Sequence, residues 1–117
     1  MDYEKKIQLQ ALADKQIELC KEYGIARTES GKAKADLDIL LVAKLPEIRA
    51  ERPSIGYDMA ILRLMEGNTV AQELYTTYKK QEARYKGLEK LAEAHGAKLI
   101  MEQSIMKREE IGEKRGY

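Results

Sequence analysis

A chain of 117 residues with 35% charged residues, no Phe and no Trp has room for one domain. It lacks the large rings that usually fill a small compact globule, so an extended helical protein is expected. Its 21 Lys and Arg against 20 Asp and Glu exclude a cationic arm. Residues 1–52 hold ten basic and ten acidic residues and 53–117 hold eleven and ten, which weakens the case for binding nucleic acid mainly through phosphates.

The single cysteine, Cys20, excludes an internal disulfide and suits a reducing compartment. The amino terminus, MDYEKKIQLQ, has no apolar signal core, and no apolar run approaches the ~18 residues of a membrane span. A soluble, cytoplasmic protein without membrane contact is expected.

Taken in order, the first segment, about 4–45, carries a seam alternating by four and three: Leu9, Leu12, Gln16, Leu19, Tyr23, Ala26, Ser30, Ala33, Leu37, Leu40, Lys44. Eight of these eleven are apolar, which predicts a long amphipathic helix. After Leu37 the apolar set widens to Leu40, Leu41, Val42 and Leu45, predicting burial of more of the circumference. Gly24 and Gly31 each cost about 1 kcal/mol relative to Ala inside a helix. Either they let a partner helix approach closely, or the helix breaks near Glu29–Gly31; Tyr23, Ala26, Ala33 and Leu37 hold the period across them. Gly31-Lys32 is no P-loop, because positions 26 and 33 are both Ala where Gly and Ser or Thr are needed.

Leu45 to Asn68 holds both prolines, Pro46 and Pro53, and the most continuous apolar run, Met59 to Met65. Pro46 lacks the N–H that would bond Val42, so the first helix is predicted to kink or stop there, with a short turn from Pro46 to Ala50. Pro53 disfavours helix at Arg52. Ser54 is the predicted N-cap of a short helix within 54–67, with Gly67-Asn68 as its stop. Ile55, Met59, Ala60, Ile61, Leu62, Leu64 and Met65 cover most of that helix, which predicts burial on most sides. The stretch reads either as a connector plugging the end of a hairpin or as a partner surface. In the second case Arg49, Arg52, Tyr57, Asp58 and Arg63 are the polar anchors, the three arginines being anion contacts. Glu47, Glu51, Asp58 and Glu66 stand ready to pair with them.

The third segment, 69–112, repeats the periodicity: Leu74, Tyr78, Gln81, Tyr85, Leu88, Ala92, His95, Leu99, Glu102, Met106, Glu109. Leu91, Met101 and Ile105 widen its apolar face, and Asn68 or Thr69 can cap its start. Its charges follow no consistent i,i+4 design, so its stability must come from tertiary contacts. A frayed tail is predicted from Gly112. Tyr75, Tyr78 and Tyr85, with Lys79, Lys80, Arg84, Lys86 and Lys90 around them, form the strongest nucleic-acid signal, a stacking platform for single-stranded bases. The competing reading is that Tyr78 and Tyr85 are seam residues and the lysines an ordinary solvated face.

Catalytic chemistry is hard to assemble. His95 is the only histidine, and Ala92 stands where a di-iron Glu-x-x-His motif needs Glu. One His and one Cys do not build a usual zinc site, and no nucleophile triad has spacing logic. No cofactor, no metal and no catalytic residue is expected, and the chain reads as a non-enzyme. His95, Glu102 and Glu109 are polar seam positions that can set register or oligomer state.

Lys34-Ala35-Asp36-Leu37, the turn Leu45 to Glu51 and the run Tyr85 to Leu88 together resemble small helical proteins encoded by phages and prophages of Gram-positive bacteria, often found near recombination genes. The resemblance spans most of the chain and implies a setting, the host cytoplasm if the chain is phage-encoded, rather than an active site.

The fold expected is all-α: a long helical hairpin of helix, short buried helix and helix, coiled-coil-like, in a single domain over 1–117. A lone hairpin leaves each apolar stripe partly wet, so a homodimer completing a four-helix bundle is expected. Self-association is assigned to Leu9, Leu12, Leu19, Tyr23, Leu37 and Leu40 on the first helix. On the last helix it is assigned to Leu74, Tyr78, Tyr85, Leu88, Leu99 and Met106. The function expected is a non-enzymatic interaction or accessory protein with a protein partner. The alternatives are a single-stranded nucleic-acid binder using Tyr75–Lys90 and an inhibitor of a host protein.

Overall fold

The computed structural model describes residues 3–114 and is all-α. Helix α1 spans Tyr3–Glu51, α2 Tyr57–Met65 and α3 Thr69–Lys114. The long–short–long helical order predicted by the periodicity is thus the one adopted. Its boundaries differ from the sequence reading for local reasons.

Helix α1 is continuous through Gly24 and Gly31. Neither glycine serves close approach: both are exposed, and a Cβ built on either meets nothing within 4 Å. Close contact falls to Ala26, Ser30 and Ala33, all buried. Each exposed glycine therefore costs helix propensity without return. Gly24→Ala and Gly31→Ala are each expected to stabilise by about 0.5–1 kcal/mol. Gly96→Ala is expected to give no gain, because its Cβ would lie 3.1 Å from Gln16 Nε2. Urea midpoints of the three variants check this.

The helix also continues through Pro46, ending at Glu51 and not near Lys44. The missing N–H frees the carbonyl of Val42, but Val42 is 70% exposed and Pro46 is exposed four residues later. That carbonyl lies on the solvent side, where water can satisfy it. Buried Ile48 and half-buried Leu45 tie the last turns to the core. Arg52 N–H then bonds Ile48 O at 3.1 Å, and Pro53 follows.

Ser54 does not cap α2. Pro53 and Ser54 form a turn closed by Ile55 N–H to Arg52 O at 3.2 Å, which shifts the cap to Gly56, whose φ of −78° and ψ of 168° are extended. Only Ala60, Ile61 and Leu64 of α2 are buried. Met59 and Leu62 are 50% and 51% exposed, so burial on most sides is not found. A helix laid over only two others has one covered face. Gly67 ends this region with φ +69°, the left-handed geometry glycine adopts without strain. Asn68 caps α3 by accepting the Ala71 N–H at 3.0 Å on Oδ1, and Gln72 Nε2 donates to Met65 O at 2.7 Å. Helix α3 continues past Gly112 to Lys114; 115–117, the rest of the predicted frayed tail, lie outside the described residues.

The chain packs as two units. The central unit, Ile25–Arg84, holds the main core: Leu37, Leu41, Ile48, Ala60, Ile61, Leu64 and Ala71 are buried together. Leu40, Leu45, Ile55, Met65, Leu74 and Tyr75 pack against them. Here Ser30 Oγ donates to Tyr78 O at 3.3 Å.

The terminal unit joins α1 up to Gly24 with α3 from Tyr85 onward. Among the described residues it has two helices and no third. Leu19, Leu88 and Met106 are buried, and the Tyr23 and Tyr85 rings meet edge to face at 6.0 Å. A polar layer crosses the seam. Gln16 Nε2 donates to Ala92 O at 2.9 Å, and Gln16 Oε1 lies 2.9 Å from His95 Nδ1. Because an amide oxygen only accepts, His95 Nδ1 carries the hydrogen. Lys5 pairs with Glu109 at 2.8 Å nearer the ends.

Candidate interaction surfaces

The twelve residues assigned to self-association are all at least half-buried within the protomer. Leu19, Leu37, Leu88 and Met106 are buried, and Leu9, Leu12, Tyr23, Leu40, Leu74, Tyr78, Tyr85 and Leu99 are half-buried. That stripe binds α1 to α3 and is largely covered in the protomer, so any further association draws on its parts left open, such as half-buried Leu9 and Leu12, together with other, exposed residues. Those residues are at hand. Ile39 and Val42 are exposed on α1, Met59 and Leu62 on α2, and Val70, Leu91, Ile100, Met101 and Ile105 on α3. Val42, Leu91 and Met101, read from the sequence as widening the buried faces, lie instead mostly in solvent, and Ile105, read the same way, is about half-covered. The spacing Ala35, Ile39, Val42, Pro46 was the available signal: it repeats by four, three and four, on the side of α1 away from Leu37 and Leu41.

The Tyr75–Lys90 stretch is divided. Tyr75, Tyr78, Lys79, Lys80 and Arg84 belong to the central unit, and Tyr85, Lys86 and Lys90 to the terminal one. Tyr75 and Tyr78 meet edge to face at 6.5 Å. The Lys79 ammonium stands 4.9 Å from the Tyr78 centroid and 5.9 Å from that of Tyr75, and Lys79 also pairs with Glu82 at 3.6 Å. Tyr78 and then Glu82 push its pKa upward. A base stacking on these rings would have to displace that cation. Tyr85 is engaged by Tyr23, which leaves Lys80, Arg84 and Lys86 as exposed charges on the helix surface.

Of the three arginines, Arg63 is held by Glu51 and by Glu66, the latter at 2.7 Å. Both carboxylates raise its pKa, the Glu51 hydrogen bond most. A guanidinium with two carboxylate partners has little left for an external anion. Arg49 is exposed in the last turn of α1, and Arg52 is exposed just past its end.

Tyr57 and Asp58 line a hollow of about 330 Å³ with Leu37, Ile61, Tyr75 and Tyr78. Tyr57 Oη donates to Asp38 Oδ1 at 2.5 Å. That bond chiefly, then burial, then the Asp38 charge, push the Tyr57 pKa from 10.0 up to about 12. The fold holds the neutral phenol, so this contribution is complete below pH 10 and is lost as the pH rises through about 12. Alkaline titration followed by phenolate absorbance is expected to show a late step near pH 12 that disappears in Tyr57→Phe; an unchanged curve would refute the pairing.

Among the described residues no cluster of three or more His, Cys, Asp and Glu is placed to hold a metal, and no helix is long and apolar enough to cross a membrane. Cys20 is exposed and unpaired as a disulfide. Comparison with known proteins gave no match, whether to family models, curated proteins or solved structures.

Proposed function

We propose that the protein acts without catalysis, as a self-associating helical interaction module serving as an accessory factor in phage or prophage DNA metabolism. One observation carries the association. Among the described residues fifteen large hydrophobic side chains are exposed, against twelve buried hydrophobic residues of which four are alanine. Single exposed apolar residues are ordinary, but an excess over the protomer's own core is what a helical subunit awaiting partners presents. The phage setting rests on the sequence resemblance.

Sedimentation and light scattering between about 1 and 100 µM test the assembly by mass action. A dimer is expected; a monodisperse 13.4 kDa species throughout overturns it. Single-stranded DNA is expected to pass unretarded at low salt. Salt-sensitive binding that is lost on changing Lys79, Lys80 and Arg84 to Ala would favour the nucleic-acid reading instead.

A further inference from the structure

In the central unit α2 lies over the groove between α1 and α3, burying Ala60, Ile61 and Leu64 there. The terminal unit has no such helix, and its groove, of about 520 Å³, is open. Its floor includes Leu9 and Leu12 from α1 and Ile105 and Met106 from α3. Ile105 is 43% exposed. Two helices can bury only the seam between them, so a groove floored with Leu, Ile and Met is the surface this unit leaves unfinished.

We infer that this groove is closed by the same groove of a second copy turned end for end, which rests on the self-association reading above. The charges select that occupant and that orientation. Along the groove, Lys15 and Lys98 stand at the end nearer His95, whereas Glu102 and Glu109 lie toward the other end. Lys15 has a loose, exposed pairing with Glu18 at 3.8 Å, and Glu109 is already matched by Lys5. The charges left unmatched in the groove are therefore Lys98, with loosely held Lys15 beside it, and Glu102 one turn further toward the other end. A parallel copy would set Lys98 against Lys98 and Glu102 against Glu102. An antiparallel copy sets Lys98 of each chain against Glu102 of the other. On α3 the positions Leu91, His95, Lys98, Glu102, Ile105 and Glu109 recur by four and three, so one crossing centred between Lys98 and Glu102 also places Ile105 opposite His95. Like charges face each other in the rejected orientation and opposite charges in the chosen one, which is how polar groups fix register and direction between helices.

The test uses the full chain, with sedimentation equilibrium for the dimer constant and far-UV circular dichroism to show that each variant stays helical. Ile105→Asn is half-exposed in the protomer and is expected to weaken the dimer at least about tenfold, as removal of a central apolar contact does. Ile39→Asn, on the central unit, is expected to leave it unchanged. Lys98→Glu and Glu102→Lys alone are each expected to weaken it about tenfold or more, and the double variant Lys98→Glu/Glu102→Lys to restore it. Dissociation by Ile39→Asn with Ile105→Asn still dimeric, or no rescue by the double exchange, overturns this face while leaving self-association standing. A chain monomeric at about 100 µM overturns both.

Discussion

Leu37→Ala is expected to destabilise the protein by about 2–5 kcal/mol, among the largest losses any single truncation here can produce. Leu37 is 1% exposed and is the largest side chain enclosed so completely. It sits where all three helices meet, in a cluster with Leu41 and Ile48 of α1, Ala60, Ile61 and Leu64 of α2, and Ala71 of α3. Two of those neighbours are alanines, whose side chains have no freedom to swing into the space a lost isobutyl group leaves. The cavity would stay open, and the penalty then includes lost contacts as well as lost transfer energy. Domains of this size hold only about 5–15 kcal/mol in total, so the variant should lose a large share of its stability. Urea denaturation followed by circular dichroism measures it. Leu9→Ala is the comparison: Leu9 is half-buried over the open groove, and a cost below about 1.5 kcal/mol is expected from its partial burial. Equal losses at the two positions would show that the two units do not differ in packing as described.

The pairing of α1 with α3 was legible because their seams repeat by three and four, and nearly every residue of those seams is covered. What a period cannot say is which apolar residues a partner covers. Helix α1 carries Leu37 and Leu41 toward the core and Ile39 and Val42 away from it, and composition alone gives both pairs the same claim to burial. The same ambiguity made α2 look enclosed, although Met59 and Leu62 face outward.

Local rules also yielded to tertiary contact. Pro46 is a helix breaker in isolation, yet Ile48 two residues later gains enough from the core to keep the helix intact to Glu51. Ser54 is a good cap by type, but Pro53 draws it into a turn, and the cap falls on a glycine with no side chain to offer. Asn68 and Gly67 behaved as their types predict, since both sit where the chain reverses and nothing competes for them.

The candidate surfaces were less legible than the fold. A run of tyrosines and lysines suggests a stacking platform, but only coordinates show that Lys79 already covers Tyr75 and Tyr78. Three arginines in one stretch suggest an anion site, but Arg63 reaches Glu51 across twelve residues of sequence, a pairing that no helical spacing rule flags. That a short helix leaves part of two long ones uncovered was legible; which residues floor the open groove of the terminal unit was not, because the two seams look alike along their whole length.

Ala26→Leu is expected to cost at least about 1–3 kcal/mol, the range for adding carbon to a packed interior, although leucine is nearly as good a helix former as alanine. Ala26 is 0% exposed and is followed on the same face by buried Ser30 and Ala33. Ser30 shows how near the helices are. Its hydroxyl, one atom beyond Cβ, reaches the main-chain oxygen of Tyr78 at 3.3 Å. Where so short a side chain bridges the gap, the three further carbons of leucine have no space unless α3 moves away from α1. Moving it would break the Ser30–Tyr78 bond and loosen the neighbouring contact of Ala33. Ala35→Leu makes the same chemical change on the exposed side of the same helix and is expected to alter stability by no more than about 0.5 kcal/mol. Paired urea titrations separate the two, and hydrogen exchange should show early opening of amides around Tyr78 in the Ala26 variant alone. Tolerance of leucine at both positions would mean that small residues are not what sets the spacing of α1 and α3 in the central unit. Because the difference between the variants lies in which side of one helix receives the same three carbons, neither propensity nor total hydrophobicity can account for it, and close approach of the two backbones remains the cause.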